Sequence, residues 1–184
     1  MRNGDWMQTF SGRQFWPLDP QPGEIFVEDI AHALSMQCRY AGHCLRFYSV
    51  AEHCVLLVRA LDRHGASLHE QRWGLLHDAS EAYLIDVPRP VKPHLTGYKA
   101  AEATVMAAVV SRFGLLPFAM PPLVHEFDNR IIADERDNLA ICVAPWEFDA
   151  EPLGVQLRHW SPPEAREAFL GEFRRLFPEW GRAC

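Results

Sequence analysis

The five cysteines of this 184-residue chain include no Cys-x-x-Cys pair. An odd count without that spacing argues against a zinc knuckle or a disulfide framework. No apolar run approaches the ~20 residues needed to cross a bilayer, and the opening MRNGDWMQTF has no signal-peptide core. The expectation is a cytoplasmic protein without a membrane partner. A basic surplus is missing as well: 18 Lys and Arg face 24 Asp and Glu, for a net charge of -6. That balance disfavours a nucleic-acid polymer as partner, yet leaves room for a small basic pocket that takes one phosphate. There is no Gly-x-Ser-x-Gly elbow, no Gly-x-x-x-x-Gly-Lys phosphate loop and no dinucleotide fingerprint. His69-Glu70-Gln71-Arg72-Trp73 fails the zincin pattern at its last position.

What is present can build a core. Hydrophobic residues make up 48% and aromatics 11% of the chain, which excludes global disorder and fits one ordinary domain. No repeat is visible and the strand signal is thin. Pro17, Pro20, Pro22 and Gly23 make residues 1–27 an extended or turned arm. Residues 28–38 place Ile30, Ala33, Leu34 and Gln37 on one side of a helix, followed by a loop over 39–48. Ser49-Val50-Ala51-Glu52 reads as a capping box, with Glu52 assigned to that box, and opens a helix whose inner face carries Val50, Cys54, Leu57 and Leu61.

A third helix is expected over 68–85, with Trp73, Leu76, Ser80 and Leu84 inward, ended near Asp86 by Pro88 and Pro90. Thr96 caps a fourth that runs to Phe113, with Gly114 as its stop. Pro121 and Pro122 start a fifth, continuing through Ala144. Residues 145–160 are irregular, and Ser161-Pro162-Pro163-Glu164 opens a last helix with Ala165, Phe169, Phe173 and Leu176 at helical spacing. About six helices with short connections predict an all-α, single-domain bundle: an arm over 1–27, a core over 28–144, and residues 145–184 packed on it.

The chemistry lies in the histidines. His77-Asp78 places an imidazole beside a carboxylate on a mostly apolar helix, and His53 points inward from the preceding one. Buried ionisable groups are costly unless paired or metal-bound. Imidazole nitrogens with carboxylate oxygens suit zinc, manganese, iron or cobalt. For a fourth ligand the fifth helix offers Asp128, flanked at helical spacing by Val124 and Ile131, or Asp134, which shares a face with Ile131 and Asn138.

Val50-Ala51-Glu52-His53, His77-Asp78-Ala79-Ser80-Glu81 and Asp86-Val87-Pro88-Arg89-Pro90-Val91-Lys92 together resemble the HD-domain metal-dependent phosphohydrolases. The matching branch is that of bacterial 5′-deoxynucleotidases and phage dATP triphosphohydrolases, over about residues 28–140. The resemblance implies that His53, His77, Asp78 and Asp128 hold one divalent transition metal (cobalt, manganese, zinc or iron), with additional magnesium on a triphosphate substrate. It implies that Glu81 and Asp86 are the catalytic acids that handle the attacking water. Spacing agrees for Glu81, four residues from His77 and three from Asp78. Arg39-Tyr40 resembles the pair that grips phosphate and crowds the sugar, and the resemblance implies Lys92 as a second phosphate contact. The implied activity is hydrolysis of phosphate from (deoxy)nucleotides by a homo-oligomer.

Two rivals stand beside it. A hydrolase of signalling nucleotides is disfavoured in its diguanylate branch, because the only Gly-Tyr runs Gly97-Tyr98-Lys99 where that branch has Gly-Tyr-Pro. A nucleotide-binding protein without turnover is disfavoured by the intact Glu81 and Asp86. The remaining histidines, among them His32, His43 and His125, read as structural or exposed. Asp134, Glu135 and Arg136 read as a charge cluster without catalytic duty, and Cys184 as an exposed tail thiol.

Overall fold

A computed structural model describes residues 2–142, 144, 146 and 150–180. The expectation for Cys184 lies outside them. The architecture is the expected all-α bundle, built from α1 (Val27–Met36), α2 (Val50–Arg63), α3 (Leu68–Leu76), α4 (Glu81–Leu84), α5 (Tyr98–Phe113), α6 (Pro122–Glu135) and α7 (Pro162–Leu176). The arm is more structured than its prolines suggest. Strands β1 (Met7–Gln8) and β2 (Gln14–Phe15) pair antiparallel, and Phe15 and Ile25 are fully buried in the core.

Helix α2 is the central element. Val50 through Val58 are all buried, and α2 packs against α1, α3, α6 and α7. Its approach to α3 is close: a Cβ on Gly74 would lie 2.4 Å from Leu61 Cδ1. Helix α7 starts at the expected capping box and buries Ala165, Phe169, Phe173 and Leu176 against α1, α2 and α3. At the other α5 end Gly114 stops the helix in the left-handed conformation, as read, but its N-cap is Gly97 (φ 82°) rather than Thr96.

Three further expectations need correction. The single helix over 68–85 is two helices. After Leu76 the backbone bonds tighten to three-residue spacing (Ala79 N–H to Leu76 O, Glu81 N–H to Asp78 O), and regular helix resumes at Glu81. The apolar period runs on through Leu84, so it could not reveal the interruption. The fifth helix ends at Glu135, followed by a short 3₁₀ turn at Arg136–Asn138, far short of Ala144.

Glu52 completes no capping box. Ser49 Oγ accepts from Glu52 N–H, but the Glu52 carboxylate turns away. It is fully buried and accepts from the backbone N–H groups of Arg158 (2.6 Å), His159 (2.9 Å) and Trp160 (2.8 Å). His159 sits there with φ 55°. This one acid therefore ties the segment entering α7 to the central helix.

Candidate metal centre

Neighbouring helices deliver the two imidazoles. His53, in the first turns of α2, is fully buried, and His77 follows the last residue of α3. Their Nε2 atoms lie 3.3 Å apart. His77 Nδ1 donates to the Gly74 carbonyl (2.8 Å), which leaves Nε2 as the ring nitrogen that faces the cluster. Helix α6 crosses α2 and α3 and brings Asp128 Oδ1 to 3.2 Å from His53 Nε2 and 3.6 Å from His77 Nε2. Asp78 Oδ2 stands 3.2 Å from His77 Nε2 and 3.8 Å from His53 Nε2. Asp134 faces elsewhere, its carboxylate accepting from the Leu153 (2.7 Å) and Val155 (3.0 Å) amides.

Three of these five separations (3.2, 3.2 and 3.3 Å) match those between ligands of one ion, and the other two (3.6 and 3.8 Å) are longer. Ligands about 2.1 Å from a centre lie about 3.0 Å apart in octahedral and about 3.4 Å apart in tetrahedral geometry. His53, His77 and Asp128 form a cluster that could hold a metal ion, and Asp78 lies beside it. Burial opposes charge on both imidazoles, and the Arg39 charge adds to that at His53, yet Asp78 raises His77, while Glu135 and Asp128 raise His53. Burial likewise opposes the Asp78 anion, but His77 and His53 hold it down at about 2. Cys54 also faces His77 and Asp78; burial pushes its thiol up to about 11, so it remains a neutral neighbour.

Beyond Asp78, Glu81 is buried at the start of α4. Burial, with Asp78 and Asp86 nearby, pushes its carboxyl up, against the pull of Lys92. Lys92 Nζ bonds both Glu81 Oε1 and Glu102 Oε1 at 3.0 Å, so the expected phosphate contact is engaged with acids. Glu81 Oε2 is buried and has no hydrogen-bond partner. Asp86 is half-buried, and burial raises its carboxyl.

The turn between these two acids is held by Gln37, whose side chain donates to the Glu81 carbonyl and accepts from the Asp86 amide, each at 2.9 Å. Ile85 within it has φ 67°, a conformation that a β-branched residue adopts only under constraint.

Arg39 and Tyr40 stand opposite. Arg39 Nη1 is 3.7 Å from Asp78 Oδ2, and Nη2 is 3.2 Å from Glu135 Oε2. The Tyr40 hydroxyl bonds the same Glu135 oxygen. Tyr40 (φ 56°) and Ala41 (φ 51°) are both left-handed. Glu135 is fully buried; burial alone would raise its carboxyl, but Arg39 and His53 outweigh that and hold it at about 2. Its sequence neighbours suggest a charge cluster within the helix, whereas in the structure its carboxylate bonds His53, Tyr48, Arg39 and Tyr40. Gln37 and Arg89 were also missed. Arg89 is largely exposed, with Nη2 3.9 Å from Asp128 Oδ2. The only sequence signal for Glu135 is its register, seven residues beyond Asp128 and thus on nearly the same helix face.

Among the described residues no helix is long and apolar enough to cross a membrane. No family model matches the chain. The chain is 37% identical over 135 residues to the Escherichia coli protein "Uncharacterized protein YfdR", covering 73% of this chain and 72% of that one. It is 36% identical over 187 residues to "Uncharacterized protein RCAP_rcc00048" of Rhodobacter capsulatus, covering 93% of this chain and 95% of that one.

Proposed function

This chain belongs to the family of YfdR and RCAP_rcc00048, and from its side-chain cluster we propose that it is a metal-dependent phosphohydrolase of the HD-domain type. Its substrates are nucleotides, 2′-deoxynucleotides first among them, as 5′-nucleotidase or dNTP phosphohydrolase. The observation that carries the reading is the pair of imidazole nitrogens 3.3 Å apart between two aspartates, with an unpartnered buried Glu81 oxygen close by.

His53, His77, Asp78 and Asp128 would hold the ion, of the cobalt, manganese, zinc or iron class. A divalent ion so held polarises a phosphoryl oxygen and lowers the pKa of water to about 7. The remaining work falls to the protein. Glu81, in its ionised form, orients the attacking water and takes its proton at Oε2, the buried oxygen without a partner. Lys92, anchored by Glu102, keeps Glu81 aimed through Oε1. Asp86 leans over the same site from the strained turn. Arg39 offsets charge on the phosphate, with Arg89 beside Asp128 as the exposed cation.

The test is a panel of dNMPs, dNTPs and ribonucleotides with added cobalt or manganese, with phosphate, pyrophosphate and triphosphate detected separately. His77→Ala and Asp78→Ala are expected to lose both bound metal and product release. Turnover by a variant that holds no metal would refute the proposal.

A further inference from the structure

One buried carboxylate serves two parts of this site with its two oxygens. Glu135 Oε1 faces the metal-ready side, 2.8 Å from His53 Nδ1 and 2.9 Å from the Tyr48 hydroxyl. Oε2 faces the loop side, accepting from Arg39 Nη2 at 3.2 Å and from the Tyr40 hydroxyl. All four partners can donate, and an ionised carboxylate only accepts, so the arrangement is saturated in one sense.

We propose that Glu135 is a positioning residue: Oε1 fixes His53 as the Nδ1–H tautomer, and Oε2 seats the Arg39–Tyr40 turn. With Nδ1 donating to Glu135, the His53 lone pair lies on Nε2, the atom that faces His77 and Asp128. A carboxylate behind a histidine ligand sets ring orientation and basicity in this way. The second arm has its own need. Tyr40 and Ala41 are left-handed non-glycine residues, and such a turn persists only where surrounding contacts over-determine it. Glu135 supplies a charged anchor to both Arg39 and Tyr40. One side chain therefore aligns the ion-binding face with the cation that meets phosphate. The Oε1 arm rests on the metal-centre reading proposed above.

The test uses the full chain and the near-isosteric Glu135→Gln, which keeps one acceptor oxygen and turns an amide N–H2 toward the remaining donors. Cobalt affinity, read from visible absorption during titration, is expected to fall 10- to 100-fold with an altered spectrum, about the effect of losing a ligand's carboxylate partner. Tyr40→Phe, which removes a donor to Oε2 alone, is expected to keep cobalt affinity within about twofold, as the Oε1 arm is intact, and to raise KM. A folded Glu135→Gln with wild-type cobalt affinity and spectrum overturns the proposal.

Should that variant fail to fold, the native chain still answers. In ¹⁵N-histidine NMR of the metal-free protein at about pH 9, above the ordinary imidazole range, His53 is expected as the Nδ1–H tautomer. The Nε2–H tautomer overturns the assignment. A wild-type chain that takes up no cobalt refutes the function proposed above, and the tautomer measurement then judges Glu135 on its own.

Discussion

Replacing Glu52 by alanine should destabilise this protein by about 4 kcal/mol. The substitution removes the acceptor for the amides of Arg158, His159 and Trp160, at 2.6–2.9 Å. A hydrogen bond to a charged group contributes about 1.5–3 kcal/mol, so three sum to about 4.5–9 kcal/mol before relaxation. Arg158 is exposed, and its amide can turn to water, which brings the figure toward the lower end. His159, left-handed and tied to the same carboxylate, has less freedom to adjust.

With a urea m-value of about 2 kcal/mol/M, the midpoint should fall by about 2 M. Glu52→Gln keeps one oxygen and should lose about half as much. A capping box predicts a different result: about 1 kcal/mol each for Ser49→Ala and Glu52→Ala, with strong coupling between them. Trypsin offers a second assay, because release of residues 158–160 exposes the bond after Arg158. A Glu52→Ala midpoint within about 0.5 M of wild type, with no new cleavage there, would refute the reasoning.

Cobalt at about 100 times its Kd should stabilise the fold by about 2.7 kcal/mol, a rise of about 5–10 °C in Tm that His53→Ala abolishes and a chelator reverses; a melting curve indifferent to cobalt would count against the site. Glu81→Gln should lower kcat about 10²- to 10⁴-fold while metal content by elemental analysis is unchanged, which separates proton handling from ion binding. Ser67→Ala should cost about 1 kcal/mol in chemical denaturation, since Ser67 and Glu70 form a complete capping box at α3. Hydrogen bonds from Ser67 hold the Glu70 carboxyl below its usual range, so the box stabilises above that range and weakens as pH falls through it. The Ser67→Ala variant should therefore lose stability less steeply than wild type between about pH 5 and 3.

Helix starts were the most legible features, because a capping box is local chemistry: Ser161 to Glu164 names the beginning of α7 without reference to any other element. His53 was legible as an inward residue because apolar neighbours at helical spacing surround it, and His77-Asp78 because a charged pair on such a face requires a partner. Helical spacing leaves Asp128 and Asp134 both open and the family resemblance points to Asp128; the structure gives Asp134 to the backbone at Leu153 and Val155.

The unread features are those whose partners are remote. Glu135 meets residues 82 to 96 positions away, so by local pattern it is only an acid near a helix end. Glu52 satisfied a local motif on paper, but three amides more than 100 residues downstream compete for its carboxylate. The β1–β2 hairpin escaped notice because two-residue strands are too short to display alternation.

The spread of these partners along the chain also orders events during synthesis. His53 and His77 emerge early, but Asp128 follows 51 positions after His77 and Glu135 seven later still. A nascent chain therefore carries two imidazoles with an incomplete set of oxygens until α6 has been made and has crossed α2, a closure of long loops that is slow relative to local helix formation. Uptake of an ion would then mark the moment at which the fold is finished, and would serve as a clock for it.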